Sequence, residues 1–163
     1  MPKAFQLSGS DRSIEFSDSA WQTFGSYAQR QLADHEAGGV LLGRIIENTG
    51  DCVVDEATAP NKRDHRSRFR FRRSRAGSQP LVDGAWTQSA GTRVYLGEWH
   101  THPEDDPSPS CVDRADRIRL LVRTKCEQDR LIFVIVGRAL VRVWDGKRST
   151  LIVRELGAVP LDS

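Results

Sequence analysis

Two histidines, a serine and an aspartate in one short stretch are the residues of this chain with the clearest chemical use. His100 and His102 flank Thr101. Ser110 follows His102 after seven intervening residues, and Asp113 lies three positions further on. Imidazole nitrogens and a carboxylate are donors of catalytic zinc sites, which leave a fourth position to a water whose pKa falls to about 7. The stretch predicts a site for one zinc ion per chain, held by His100, His102 and Asp113.

Ser110 and Asp113 also have a purely structural interpretation. S-x-x-D is the spacing of a capping box, in which both side chains satisfy backbone donors at the start of a helix. The two roles are compatible, because a capped first turn would hold Asp113 rigidly as a ligand. Cys111 lies inside the same motif and could compete for metal, but it is more typical of a small helix residue.

A strand must present the two histidines. Residues 93–102 alternate with a period of two, which places His100 and His102 on the same face. The other residues expected on that face are Val94, Leu96 and Glu98, and those expected on the opposite face are Tyr95, Trp99 and Thr101. Pro103 and the proline-rich residues 107–109 end the strand. Ser110 is then predicted to cap a helix over 111–126.

The elements before this strand follow from apolar spacing. Ser17 is predicted to cap a helix over 18–33. Its buried stripe would be Trp21, Phe24, Ala28 and Leu32. Two apolar runs, 39–46 and 52–58, predict a hairpin of buried strands.

The other segments complete a mixed fold. The predicted elements are a loop over 60–67, a strand over 68–72 with its aromatic residues inward, a weaker helix over 79–89, strands over 131–136 and 140–144, a turn at Asp145-Gly146 and a strand over 151–153. About three helices and six or seven strands predict an α+β fold in which a sheet packs against helices.

Length and composition limit the class of protein. A chain of 163 residues fits one domain over 1–163, with 154–163 as a short C-terminal tail. The net charge of +2 gives no general reason to expect nucleic acid or membrane as a partner. The three cysteines have no C-x-x-C spacing, which argues against a disulfide scaffold and favours a cytoplasmic location. The N-terminus lacks the apolar region of a signal peptide, and the longest apolar run, 131–136, is too short to cross a bilayer.

A basic segment over 62–75 has three possible interpretations. It contains eight Lys or Arg residues, with Phe69 and Phe71 interleaved. Taken alone it is typical of a nucleic-acid surface, and it is equally compatible with a solvated strand face. In an enzyme it could be a sheet edge to which a substrate tail adds itself, with Arg68 and Arg70 gripping that tail. Glu98 is likewise either a substrate or ligand contact or an ordinary solvated acid.

These residues resemble the JAMM (JAB1/MPN/Mov34) zinc metallopeptidases, whose signature is an upstream glutamate followed by H-x-H-x7-S-x-x-D. Residues 36–43, E-A-G-G-V-L-L-G, resemble the upstream segment. Residues 97–104 and 66–69 are similar to those of short bacterial JAB-domain peptidases found in CBASS antiphage operons. The resemblance implies a single JAB1/MPN-like domain, with a central mixed sheet in a cytidine-deaminase-like α/β/α arrangement.

The resemblance also implies roles and a substrate. Glu36 would be the general acid and base, taking a proton from the attacking water and delivering it to the leaving amine. Ser110 would donate its hydroxyl to the developing oxyanion. The implied activity is cleavage after the C-terminus of a ubiquitin-like or CD-NTase-type conjugated protein that carries an extended tail.

The alternative is a catalytically inactive JAB-fold module that contacts DNA or a protein partner through 62–75. An inactive relative would be expected to lack Glu36 or one of the metal ligands. None of these residues is missing from the sequence, which favours the enzyme.

Overall fold

The computed structural model describes residues 3–6 and 12–162, which form three helices and ten strands. The helices are α1 (Asp18–Tyr27), α2 (Arg75–Gln88) and α3 (Cys111–Arg123). The strands are β1 (Lys3–Gln6), β2 (Ser13–Phe16), β3 (Gly38–Ile45), β4 (Cys52–Ala57), β5 (His65–Ser67), β6 (Arg70–Arg72), β7 (Val94–Thr101), β8 (Arg130–Val136), β9 (Leu140–Lys147) and β10 (Ile152–Pro160). None of the helices described is long and apolar enough to span a bilayer.

Eight of the strands form one mixed sheet. Their order is β1-β2-β4-β3-β7-β8-β9-β10, with parallel pairing between β2 and β4 and between β7 and β8. β5 and β6 form a separate two-stranded sheet. The predicted α+β class, with a mixed sheet and three helices, is confirmed.

Helices cover both faces of the large sheet, and β8 shows why. Its apolar residues alternate between two cores: Leu131, Phe133 and Ile135 lie with Leu121 of α3, whereas Ile132, Val134 and Val136 lie with Trp21 and Phe24 of α1. A strand buried on both faces has a continuous apolar sequence, as 131–136 does. Helix α2 covers the same face as α3, through Ala85 against Val40 and Leu42. The layers are therefore α/β/α.

Helix α1 ends at Tyr27, earlier than predicted. The amide of Gln29 donates to the carbonyls of Asp34 and Arg68, and the Asp34 carboxylate accepts from the backbone N–H of Gln31. Such side-chain bonds offer the backbone an alternative to helical pairing. Leu32, predicted to be buried, is 75% exposed.

Two further predictions are corrected. The segment predicted as a loop and one strand contains the short strands β5 and β6, and Phe69 lies in the turn between them, 71% exposed instead of inward. The prediction of a C-terminal tail from residue 154 is wrong as far as Pro160, because these residues belong to β10, which pairs with β9. The chain turn lies at 148–151, after Asp145-Gly146, which belong to β9.

A bulge at Gly97 sets the direction of the side chains of β7. Leu41 pairs with Gly97 and Leu42 with Tyr95, so Leu96 is an extra residue. Tyr95 consequently lies on the Glu98 face, where its hydroxyl donates to the Glu98 carboxylate at 3.2 Å. The predicted faces are wrong for Val94 to Leu96. They are right from Glu98 onward, so His100 and His102 do point the same way.

The bulge predicts a large effect of Gly97→Ala on stability. Gly97 has a φ of 151°, and an added Cβ would lie 1.8 Å from the carbonyl oxygen of Ile132. We expect the free energy of unfolding to fall by about 3 kcal/mol, measured by urea denaturation. Gly25→Ala in α1 is the control, because no heavy atom lies within 4 Å of its added Cβ; it should leave stability unchanged or raise it by up to about 1 kcal/mol. Equal stabilities of the Gly97 variant and the parent would contradict this account of the bulge.

Candidate metal and catalytic site

The three predicted metal ligands converge where β7 ends and α3 begins. The Nε2 atoms of His100 and His102 are 3.0 Å apart. His102 Nε2 lies 3.0 Å from Asp113 Oδ2, and His100 Nε2 lies 3.3 Å from Asp113 Oδ1. In the part of the chain described, these three residues are the group whose ligand atoms could hold a metal ion. The end of β7 and the first turn of α3 thus bring two imidazoles and one carboxylate to the same point.

The spacing of these atoms fits zinc. Ligands about 2.0–2.1 Å from a tetrahedral ion are about 3.3 Å from one another, close to the separations seen here. Two imidazoles and one carboxylate are also a common donor set for catalytic zinc. The residues therefore fit the predicted ion in both chemistry and spacing.

A capping box holds Asp113 in place. The backbone N–H of Ser110 donates to Asp113 Oδ2 at 2.8 Å, and the backbone N–H of Asp113 donates to Ser110 Oγ at 3.1 Å. Burial opposes ionisation of Asp113, but hydrogen bonds from His100 and His102 outweigh it and hold the pKa of this carboxyl well below its usual range. The capping geometry and a ligand position for Asp113 coexist.

Glu36 lies beside this group, just before β3. Its side chain is buried, and Oε1 is 4.0 Å from His102 Nε2. Its backbone is fixed by the β5–β6 hairpin: the Glu36 N–H donates to the carbonyl of Ser67 at 2.7 Å, and the Glu36 carbonyl accepts from Arg66 Nε at 2.8 Å. Burial raises the pKa of Glu36 to about 7, although the charge of His102 acts in the opposite direction. A carboxyl group with this pKa can both accept and release a proton near neutral pH.

A buried polar network that the sequence analysis missed joins Glu36 to the histidine strand. Thr101 Oγ1 accepts from the backbone N–H of Ala37 and donates to Gln29 Oε1, both at 2.9 Å. The Thr101 N–H donates to the Ala37 carbonyl at 2.8 Å. The position of Glu36 relative to His100 and His102 is therefore set by Thr101 between them. A polar residue, Thr101, between two histidines at the end of the strand was the available signal.

Glu104 is a second acid near the site that the sequence analysis passed over. Its Oε1 lies 3.4 Å from His102 Nδ1, the ring nitrogen turned away from Asp113. A carboxylate in this position orients an imidazole and keeps the proton on Nδ1, which leaves Nε2 free to bind a metal. His102 burial lowers its pKa, but its hydrogen bond to Asp113 and the nearby acids raise the pKa overall.

A cleft of about 440 Å³ begins at His100 and Asp113. Strand β6 lines one side and α3 the other, while Phe133 and Val134 of β8 also contribute. Phe71 of β6 packs over the start of β3, where an added Cβ on Gly38 would lie 2.5 Å from its ring. The hairpin formed by β5 and β6 thus provides one wall of the cleft, through β6.

Of the residues predicted to contact substrate, Arg70 and Glu98 line the cleft and Arg68 does not. The guanidinium carbon of Arg68 lies 4.9 Å from the ring centroid of Phe69. Glu98 is half-buried and not merely solvated, because it accepts from Arg73 Nε at 2.7 Å. Cys111 is exposed at the first position of α3 and stands apart from the metal-ligand group.

The fold and the site define a JAB-type domain, and the chain belongs to this family. Residues 18–150 match the family described as prokaryotic homologs of the JAB domain. A solution structure of a protein from Desulfitobacterium hafniense has the same fold with a TM-score of 0.60 and 21% identity, covering 86% of this chain and 87% of that one.

Three relatives of this chain are each named a CD-NTase/cGAS isopeptidase. The Pseudomonas aeruginosa protein is 41% identical over 77% of this chain and 77% of its own length. The Vibrio cholerae protein is 40% identical over 76% of this chain and 74% of its own length. The Escherichia coli protein is 38% identical over 76% of this chain and 74% of its own length. The predicted resemblance to the family is confirmed.

Proposed function

We propose that this chain is a zinc-dependent isopeptidase that releases a CD-NTase from the amine to which its C-terminus is joined, as part of CBASS antiphage defence in the cytoplasm. The observation that carries the proposal is the convergence of His100, His102 and Asp113 at the end of a cleft, with the buried Glu36 carboxylate 4.0 Å from His102. The names of the three relatives supply the substrate.

His100, His102 and Asp113 would hold the ion. When bound, zinc would polarise the scissile carbonyl and lower the pKa of a water molecule. The remaining chemistry belongs to side chains of this chain, which must move one proton and receive the charge that develops on the carbonyl oxygen.

Glu36 is the proposed proton carrier. Its carboxylate would accept the proton of the attacking water and deliver it to the nitrogen of the leaving amine as the carbon–nitrogen bond breaks. Burial beside His102 suits this role, because little reorganisation is needed to bring the carboxylate to the reacting atoms.

Ser110 is the proposed donor to the carbonyl oxygen. Its Oγ accepts from the backbone N–H of Asp113, which leaves the hydroxyl proton for the substrate. Loss of one such donor typically lowers the rate by a factor of about 10² to 10³.

The cleft gives the substrate tail a place to bind. Strand β6 pairs with β5 along one edge, and β6 rather than β5 borders the cleft. The tail would add as an extended strand along the other edge of β6, with Arg70 as a contact. Arg68 stands at the tip of the hairpin and would meet the folded body of the substrate. Glu98 would act indirectly, by holding Arg73 and the segment that follows β6.

The test uses a CD-NTase from Pseudomonas aeruginosa whose C-terminus is joined to the side-chain amine of a fluorescent lysine peptide. We expect the purified protein to contain one zinc per chain and to release the peptide. Incubation with 1,10-phenanthroline, and not with its non-chelating 1,7 isomer, should lower the rate by about a thousandfold, since the ion contributes several kcal/mol. Zinc should restore the rate.

Two outcomes would overturn the proposal. One is cleavage at the full rate by protein shown to be free of metal. The other is absence of cleavage together with tight, salt-dependent binding to DNA, which would support the binding module instead.

A further inference from the structure

Arg117 is a buried charge one helical turn beyond Asp113. The residue is 6% exposed, and its guanidinium carbon lies 4.2 Å from the ring centroid of Trp144 and 5.5 Å from that of Phe133. The two rings hold the guanidinium through cation–π contacts and fix its position between α3 and the sheet.

Arg117 lacks the partner that a buried charge normally has. Within residues 3–6 and 12–162 it forms no ion pair, and its Nη2 atom is buried without a hydrogen-bond partner. Burial lowers the pKa of Arg117 to about 10, so the group remains charged at neutral pH. Buried charges are usually paired and buried donors usually bonded, because desolvation without a partner is unfavourable.

The position of Arg117 gives a ligand access to it. The residue lines the cleft that begins at His100 and Asp113, and it also lines a second cavity of about 650 Å³ between α3 and the last two strands. The Arg117 side chain therefore borders both spaces.

The cleft as a whole has a surplus of positive charge. Five arginines and three acids line it: Arg70, Arg72, Arg73, Arg117, Arg119, Glu98, Asp113 and Asp116. Glu98 is paired with Arg73, and Asp116 with Arg119. Asp113 faces the histidines. The other three arginines have no acid partner in the part of the chain described, so the cleft suits an anionic ligand.

We propose that Arg117 determines specificity by binding one carboxylate of the substrate tail, an Asp or Glu side chain within about two or three residues of the cleaved bond. This inference rests on the proposed function. Arg117 lies four positions after Asp113 in α3, a rise of about 6 Å along the helix, and an extended tail advances about 3.3 Å per residue. A guanidinium binds a carboxylate through two parallel hydrogen bonds, which favours this group over a neutral amide.

The experiment compares matched peptides. A fluorescein-labelled series of ten-residue Gly-Ser peptides carries one Glu at each of the last four positions in turn, and a second series carries Gln instead. Both series are made with amidated and with free C-termini, because a terminal carboxylate is another source of the same chemistry. Binding is measured by fluorescence anisotropy, which does not depend on turnover. The same Glu and Gln variants of the last four positions are placed before the junction in the CD-NTase conjugate, and kcat/KM is measured for each.

We expect one Glu position to bind at least about tenfold tighter than its Gln counterpart with amidated peptides, a preference equivalent to one hydrogen-bonded charge pair. Arg117→Met should reduce that preference to less than about twofold, while Arg117→Lys should retain part of it. Arg123→Met, an exposed change on the same helix that does not line the cleft, should keep the full preference. Circular dichroism confirms that each variant is folded.

The proposal is overturned if Glu and Gln peptides bind equally at all four positions, or if the preference survives in folded Arg117→Met. It is also overturned if peptides with free C-termini bind tighter than amidated ones to the same extent with Glu and with Gln, because the carboxylate bound would then be the terminal one and not a side chain. Failure of the conjugate to be cleaved, with the peptide preference intact, would count against the proposed function and not against this inference.

Discussion

Replacing Glu36 by glutamine is expected to lower kcat/KM by about 10³-fold while leaving one zinc bound per chain. Glutamine keeps the size and burial of the side chain, but its amide cannot take a proton from water. Proton transfer by a positioned side chain contributes about 10² to 10⁴ in rate, and Glu36 is the buried carboxylate next to His102, a proposed ligand. Turnover is measured with the CD-NTase conjugate, and zinc by elemental analysis of the purified variant.

Glu104→Gln is the matched control. It makes the same change on the opposite side of His102, at a carboxylate 3.4 Å from Nδ1 that is not buried. If Glu104 only orients the imidazole, the variant should lose about 10- to 100-fold in metal affinity or activity, and saturating zinc should recover much of that loss. A Glu36→Gln enzyme with normal turnover would show that the proton travels through another group. Equal losses in the two variants would show that charge near His102 matters and the proton acceptor does not.

The position of Glu36 illustrates what local sequence cannot provide. Its carboxylate approaches the histidines because Gly38 of β3 pairs with His100 of β7, a contact between segments far apart in the chain. Residues 36–43 contain no feature that predicts this pairing by itself. Glu36 was therefore identified through a family resemblance, whereas His100, His102 and Asp113 were identified through their own spacing.

The strand that carries the histidines was predicted correctly in its second half only. Alternation placed His100 and His102 on one face, as observed, because no irregularity follows Glu98. The bulge at Gly97 reverses the faces before that point, and its cause is close contact with the Ile132 backbone on a strand that comes much later in the chain. Period-two reasoning has no access to such a contact.

The edges of the fold were harder to predict than its centre. β8 is buried on both faces and reads as an apolar run, so its position was predicted closely. β10 is an edge strand without a fully buried residue, and it has a register shift between Glu155 and Gly157. A sequence of this kind resembles a tail because only one of its edges, and little of its side-chain surface, is paired or buried.

Replacing His102 by alanine is expected to abolish zinc binding and, with it, turnover. The variant keeps His100 and Asp113, but two ligands cannot fill the three protein positions of a catalytic zinc site. Zinc at about 100 times its Kd should stabilise the parent by about 2.7 kcal/mol, and this gain should vanish in the variant. The measurement is the shift in Tm on adding zinc to chelator-treated protein, which reports on binding even where activity is absent.

His65→Ala separates loss of a ligand from loss of any histidine. His65 is exposed on β5 and lies outside the group that could hold a metal, so this variant should keep the full shift in Tm. Because His102 is buried, its removal also leaves a cavity, and the Tm of the metal-free variant must be compared with that of the metal-free parent. Stoichiometric, stabilising zinc in both His100→Ala and His102→Ala would place the ion elsewhere. The convergence of these side chains would then reflect hydrogen bonding between them and would no longer support a metal site.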